Sequence, residues 1–163
     1  MPNVISWYRI ARWLYLHKIP FIPKTIQGLI FILYNCHISY LSDFGKGTSF
    51  LHRGMSTLIL ERVKIGENVK IGMNVNIIGK VPFVDLPIIG NNVWISPGVI
   101  ISGPVIIGND VIIAPGAVVT KSVPDGAVVA GIPAKIIEWR KDLDFDIMSN
   151  YSWKKGYMDF LKP

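Results

Sequence analysis

Residues 65–78 read IGENVKIGMNVNII, residues 89–102 read IGNNVWISPGVIIS and residues 107–119 read IGNDVIIAPGAVV. An aliphatic returns at every sixth position: Ile65, Ile71, Ile77, Ile89, Ile95, Ile101, Ile107, Ile113 and Val119, with Phe83 in the one intervening slot. The next residue is mostly small (Gly66, Gly72, Gly90, Ser96, Ser102, Gly108, Ala114), and four positions after the aliphatic a Val or Ala recurs. A helix repeats every 3.6 residues and a strand every 2, so neither accounts for a fixed six. Six suits a triangular coil in which each hexad makes one short strand and one corner. The aliphatic points inward and the small residue lets the chain turn. Three hexads close a coil, and stacked coils bury a continuous aliphatic column. A β-sandwich would need irregular strand lengths and hairpin loops instead.

Outward from the repeats, Phe44-Gly45-Lys46-Gly47 and Phe50-Leu51-His52 look like earlier, less regular hexads. Residues 1–36 read as an N-terminal helical segment. Ile5, Tyr8, Arg9, Arg12, Trp13 and Leu16 have mixed helical spacing, Pro20 and Pro23 break it, and a second short helix covers about 24–35. The β-helix domain is expected over 37–137. Residues 138–163 leave the repeat and are expected to form a helical or extended cap over the open end of the prism.

Half of the 163 residues are hydrophobic and 17% are charged, with a formal charge of +6. Residues 1–42 contain no Asp or Glu but hold Arg9, Arg12, Lys18 and Lys24 among many aromatics. Such a segment suits an anionic lipid surface or the acidic flank of a partner. Nothing resembles a nucleic-acid module. One cysteine, Cys36, excludes an internal disulfide framework and a cysteine-rich zinc site, and three irregularly spaced histidines predict no metal. The apolar run 29–34 falls short of the ~20 residues of a spanning helix. The expected location is cytoplasmic, with residues 1–35 a candidate contact to the inner membrane face.

Phe50-Leu51-His52-Arg53-Gly54, the hexads, Val118-Val119-Thr120-Lys121-Ser122-Val123-Pro124 and Ala130-Gly131-Ile132-Pro133-Ala134-Lys135 together resemble the hexapeptide-repeat acyltransferases. The likeness is to the serine acetyltransferase-like branch that includes polysaccharide O-acetyltransferases. It implies a left-handed parallel β-helix and homotrimers with acetyl-CoA lying between neighbouring prisms. It also implies His52 as general base. The chemistry asks for one, because an alcohol is a poor nucleophile at pH 7 and imidazole titrates near that range. Thr120, Lys121 and Lys135 match positions near the CoA phosphates and adenine. Gly79 and the corners Ser96-Pro97 and Ala114-Pro115 match positions along the cofactor, although proline there removes an N–H.

The departures concern the acceptor. Leu51 stands where serine acetyltransferases have an aspartate, Leu86-Pro87 where they have a second His-Pro pair, and His37 where an aspartate is expected. The amino-terminal helical part is cut to about 35 residues. A neutral sugar hydroxyl needs none of these groups, so the sequence favours O-acetylation of a sugar in surface polysaccharide assembly. Serine acetylation and a non-catalytic scaffold are the alternatives. His37 either orients His52, lines the acceptor pocket or is a coil residue; Asp85 either meets the acceptor, orients the histidine or is solvated. Arg53 is a candidate for an acidic sugar. Trp94 is expected to face outward, to stack on a sugar or CoA or to pack on a neighbouring subunit.

Overall fold

The computed structural model describes residues 3–143 and 146–148. The hexads form a mainly β, left-handed parallel β-helix whose short strands stack into three flat faces. Face one holds β1 (His37–Ile38), β4 (Leu58–Ile59), β7 (Asn76–Ile78), β10 (Ile100–Ser102) and β13 (Val118–Val119). Face two holds β2 (Asp43–Phe44), β5 (Lys64–Ile65), β8 (Ile88–Ile89) and β11 (Ile106–Ile107). Face three holds β3 (Ser49–Phe50), β6 (Lys70–Ile71), β9 (Trp94–Ile95), β12 (Ile112–Ile113) and β14 (Ala127–Gly131), and ends in the antiparallel β15 (Ala134–Trp139).

The inward residue of each strand lies in register with the one below. On face one Ile38, Ile59, Ile77, Ile101 and Val119 form the column. Face two contributes Phe44, Ile65, Ile89 and Ile107, with Val123 bridged to the last. Face three contributes Phe50, Ile71, Ile95, Ile113 and Val129. Val63, Val69, Val75, Val93, Val99 and Val111 fill the corners with no exposed surface. Each buried aliphatic side chain contributes about 1.5–3 kcal/mol. The column, and not any strand of two or three residues, therefore holds the coils together. Corner backbone groups are satisfied from coil to coil. The Glu67 N–H donates to Asn91 Oδ1 (2.8 Å), the Asn91 N–H to Asn109 Oδ1 (2.9 Å) and the Asn109 N–H to Asp125 Oδ1 (2.7 Å). At Gly90 a Cβ would fall 2.7 Å from the Gly108 carbonyl oxygen, so close coil contact requires glycine there.

The 18-residue coil that separates Ile88 from Ile106 is lengthened at two places, and the last coil, from Ile112 to Val128, is shortened to 16. Ser49 and Lys70 pair across 21 positions, and the surplus forms a 3-10 turn at Leu51–Gly54. Lys64 and Ile88 pair across 24, and the surplus leaves the prism as a loop at residues 79–87. Phe83 belongs to that loop, 54% exposed, and not to the column as its spacing suggested. A six-residue excursion equals one hexad, so the sequence period passes through it undisturbed.

Helices α1 (Val4–Leu16) and α2 (Ile22–Tyr34) pack on each other and close the first coil. Val4, Tyr8, Ala11, Ile26, Ile30 and Tyr34 join the same core as the coils. Pro23 does not break the second helix, as its position suggested, but sits in its first turn, where a missing N–H costs nothing. Tyr8 donates to the Ser42 carbonyl at 2.7 Å and stands edge-on to Phe44. At the other end Arg140 donates to the Asn92 carbonyl (3.0 Å) and pairs with Asp110 and Asp146, tying the chain after β15 back to the prism. Most of the expected cap, residues 144–145 and 149–163, lies outside the described residues.

Burial pushes the Cys36 thiol from 9.0 up to about 12. It also pushes the Tyr8 phenol from 10.0 up to about 12, against the opposing charge of Arg12. Both groups keep their protons in the folded chain at pH values where the unfolded chain loses them. Their contribution is complete below about pH 9 and declines as pH rises towards about 12. We expect a urea midpoint clearly lower at pH 10.5 than at pH 8, and Cys36 labelled by a thiol reagent only after denaturation.

Candidate functional site

His52 is carried by the three surplus residues between β3 and β4. It lies exposed on the 3-10 turn with φ 48° and ψ 34°, followed by Arg53 at φ 62° and Gly54 at φ 76°. Left-handed backbone at a non-glycine residue costs on the order of 1–3 kcal/mol, so something must over-determine it. Helix α1 does so. Asn3 accepts from the Ile5 N–H as its N-cap and, through Nδ2, donates to the Phe50 carbonyl at 2.9 Å. Gly54 is buried under Val4 and Phe50, where a Cβ would come within 2.8 Å of Val4 Cγ1. Thr57 N–H donates to the Gly54 carbonyl and Asn74 N–H to that of Met55, closing the turn onto the coil above. The imidazole is thus held outward by packed backbone; among the described residues its ring nitrogens have no partner.

The turn stands on the edge where face three passes into face one. The next coil crosses that edge at Gly72-Met73 after β6, and the two coils above it cross with candidate cofactor pairs: Ser96-Pro97 after β9 and Ala114-Pro115 after β12. These corners are stacked by backbone bonds, Gly98 N–H to the Met73 carbonyl and Gly116 N–H to that of Pro97, both 3.0 Å. Ala114 N–H donates to the Val129 carbonyl, so the β14 end sits above it, and Lys135 pairs with Ala130 there. Strands spaced about 4.8 Å apart put the Ala114 corner, three coils on, about 14 Å along the edge from His52. His52, Arg53, Ser96, Pro97, Ala114, Pro115 and Lys135 therefore follow one line.

The other candidates lie elsewhere. Thr120 and Lys121 follow β13 onto the edge between faces one and two, and Gly79 and Asp85 belong to the loop leaving that edge. Half-buried His37 lines a cleft of about 460 Å³ there with Tyr40, Glu61, Arg62, Lys24 and Leu86. Asp85 lines an adjoining cleft of about 440 Å³ that shares Arg62 and Leu86. No hydrogen bond joins His37 or Asp85 to His52 among the described residues. Trp94 is half-buried on the outer side of face three, between Lys70 and Ile112 and off both edges. Among the described residues no three His, Cys, Asp or Glu groups come together to hold a metal.

Sequence reasoning missed Arg62, Glu61 and Lys24 in the cleft, and Asn3 under the turn. Arg62 could have been found by coil arithmetic: it lies 18 positions before Lys80, at the same corner one coil earlier. Its left-handed φ of 67° holds that corner.

A family model for bacterial transferase hexapeptide repeats matches residues 87–121. A serine acetyltransferase of Synechococcus elongatus is 33% identical over 132 residues, covering 80% of this chain and 54% of that protein. One from Helicobacter pylori strain J99 is 31% identical over 137 residues, 83% of this chain and 80% of that protein. The crystal structure of a Brucella abortus serine acetyltransferase superposes with a TM-score of 0.78 at 29% identity, over 83% of this chain and 55% of that one. The chain thus spans about half the length of the Synechococcus and Brucella proteins.

Proposed function

The chain belongs to the hexapeptide-repeat acyltransferase family, in its serine acetyltransferase-like branch, and from that premise we propose that it transfers an acetyl group from acetyl-CoA to an alcohol. The observation that carries this reading is the single edge on which a rigidly held, exposed His52 leads through two stacked corners to Lys135. An extended CoA arm fits such a line, with its thioester at the histidine and its phosphates towards the cationic end. His52 takes the proton from the acceptor hydroxyl as the oxygen attacks the thioester carbonyl. The tetrahedral intermediate then expels CoA as thiolate, which takes the proton back from the imidazolium. Backbone N–H groups at the corners are the available donors to the intermediate's oxyanion.

Lys121, Asp85 and the His37 cleft lie on the other edge of face one. A site that uses both edges is completed by a second protomer, which supports a homotrimer with acetyl-CoA between prisms. The relatives favour serine as acceptor over the sugar hydroxyl preferred from sequence. The cleft lends this physical support: Arg62 suits a carboxylate, and Glu61 suits an ammonium. A sugar acceptor remains as a second reading, because Leu51 and Leu86 replace polar groups that the resemblance associates with serine. Thiol release from acetyl-CoA, measured with L-serine and with a panel of neutral and acidic sugars, separates the two. We expect turnover with L-serine; turnover with sugars alone reverses the choice. No calorimetric binding of acetyl-CoA would leave only a scaffold.

A further inference from the structure

The helical hairpin exposes an apolar surface that acetyl transfer does not use. At its tip Trp13 is 56% exposed, Leu16 61% and Phe21 85%, and Ile32 on the outer side of α2 is 75% exposed. The folding role of α2 is met by its opposite side, where Pro23, Ile26, Ile30 and Tyr34 are buried. Phe21 has a left-handed φ of 66° and makes no ring contact among the described residues. With ψ at −45° it is the centre of a γ-turn closed by the Ile22 N–H to the Pro20 carbonyl at 2.7 Å. That strained conformation costs on the order of 1–3 kcal/mol, which burial does not offset here. The polar groups around the tip are His17, Lys18 and Lys24, all exposed. No Asp or Glu precedes Asp43, which itself faces Arg12 at 3.8 Å.

We propose that the hairpin tip docks on an anionic lipid bilayer, with Phe21, Leu16 and Ile22 entering the acyl boundary and Lys18 and Lys24 at the headgroups. Charge decides between a bilayer and a second copy of this chain. Two copies meeting tip to tip would bring Lys18 and Lys24 against their own counterparts, whereas a negative surface attracts each by about 1 kcal/mol. An apolar tip whose own helices carry cations and no acid suits the headgroup boundary. Each helix has 13 residues and rises about 20 Å, below the ~30 Å hydrocarbon core. No described helix is long and apolar enough to cross a membrane, so the tip reaches only the interface.

The test is co-sedimentation of the full chain with phosphatidylcholine vesicles, with and without phosphatidylglycerol. Binding is expected only with the anionic lipid and is expected to fall with added salt. Lys18→Glu should lower the partition coefficient by at least about fivefold, and Phe21→Ser should weaken it with an unchanged melting temperature. Absence of vesicle binding, equal binding to both vesicle types, or no effect of Phe21→Ser would each overturn the assignment. So would Phe21→Ser dissociating a soluble oligomer while leaving vesicle binding intact, because the tip would then contact a second copy. Phe21 and Lys18 line neither cleft, so acetyl transfer does not depend on them and the two readings fail separately.

Discussion

His52→Asn lowers the maximal rate of acetyl-CoA-dependent CoA release by about 10²–10⁴, while the KM for acetyl-CoA changes by less than about threefold. Asparagine is the informative replacement because it tolerates the left-handed backbone that His52 adopts at φ 48°. The turn should therefore keep its shape, and only the proton-accepting nitrogen is lost. Alanine would add backbone strain and confuse the two effects. Steady-state kinetics with a saturating acceptor, together with a melting curve, read the outcome. A loss of less than about tenfold, with a native melting curve, would remove His52 from the proton path.

Ile95→Ala costs about 2–5 kcal/mol. Ile95 has no exposed surface and sits between Ile71 and Ile113 in the third column. Its neighbours are clamped by ladder bonds and cannot collapse into the space. At about 2–4 °C per kcal/mol for a chain of this size, the melting temperature drops by on the order of 4–20 °C. Ile106→Ala is the contrast, because Ile106 points out of face two and is 58% exposed. Its effect should stay within about 0.5 kcal/mol. Equal losses at both positions would contradict the inward column.

The coils were legible because every inward residue is dictated by its own hexad, so a local period reports a global axis. The failures lie where spacing alone cannot distinguish two structures. Phe83 satisfies the period because its loop is one hexad long, yet no strand pairs with it. Pro23 reads as a breaker until the helix is seen to begin one residue earlier. His52, Ser96, Pro97, Ala114 and Pro115 were read as site residues from the resemblance, and the structure strings them along one edge. The surplus residues at 51–57 and 79–87 hid which corner belongs to which edge, and so hid the separation of His37, Asp85 and Lys121 from His52. Asn3 was not visible because its partner, the Phe50 carbonyl, is a backbone atom 47 positions away.

Helix α1 has its first turn at Asn3, beneath His52, and its last beside the hairpin tip. Its 13 residues form a strut of about 20 Å. If the tip rests on lipid, that strut bounds how far above the headgroups the imidazole can stand. A freely diffusing acceptor is indifferent to this height, whereas one tethered to lipid must place its hydroxyl within it. Lengthening the strut by whole turns would then slow tethered acceptors selectively and leave soluble ones unaffected.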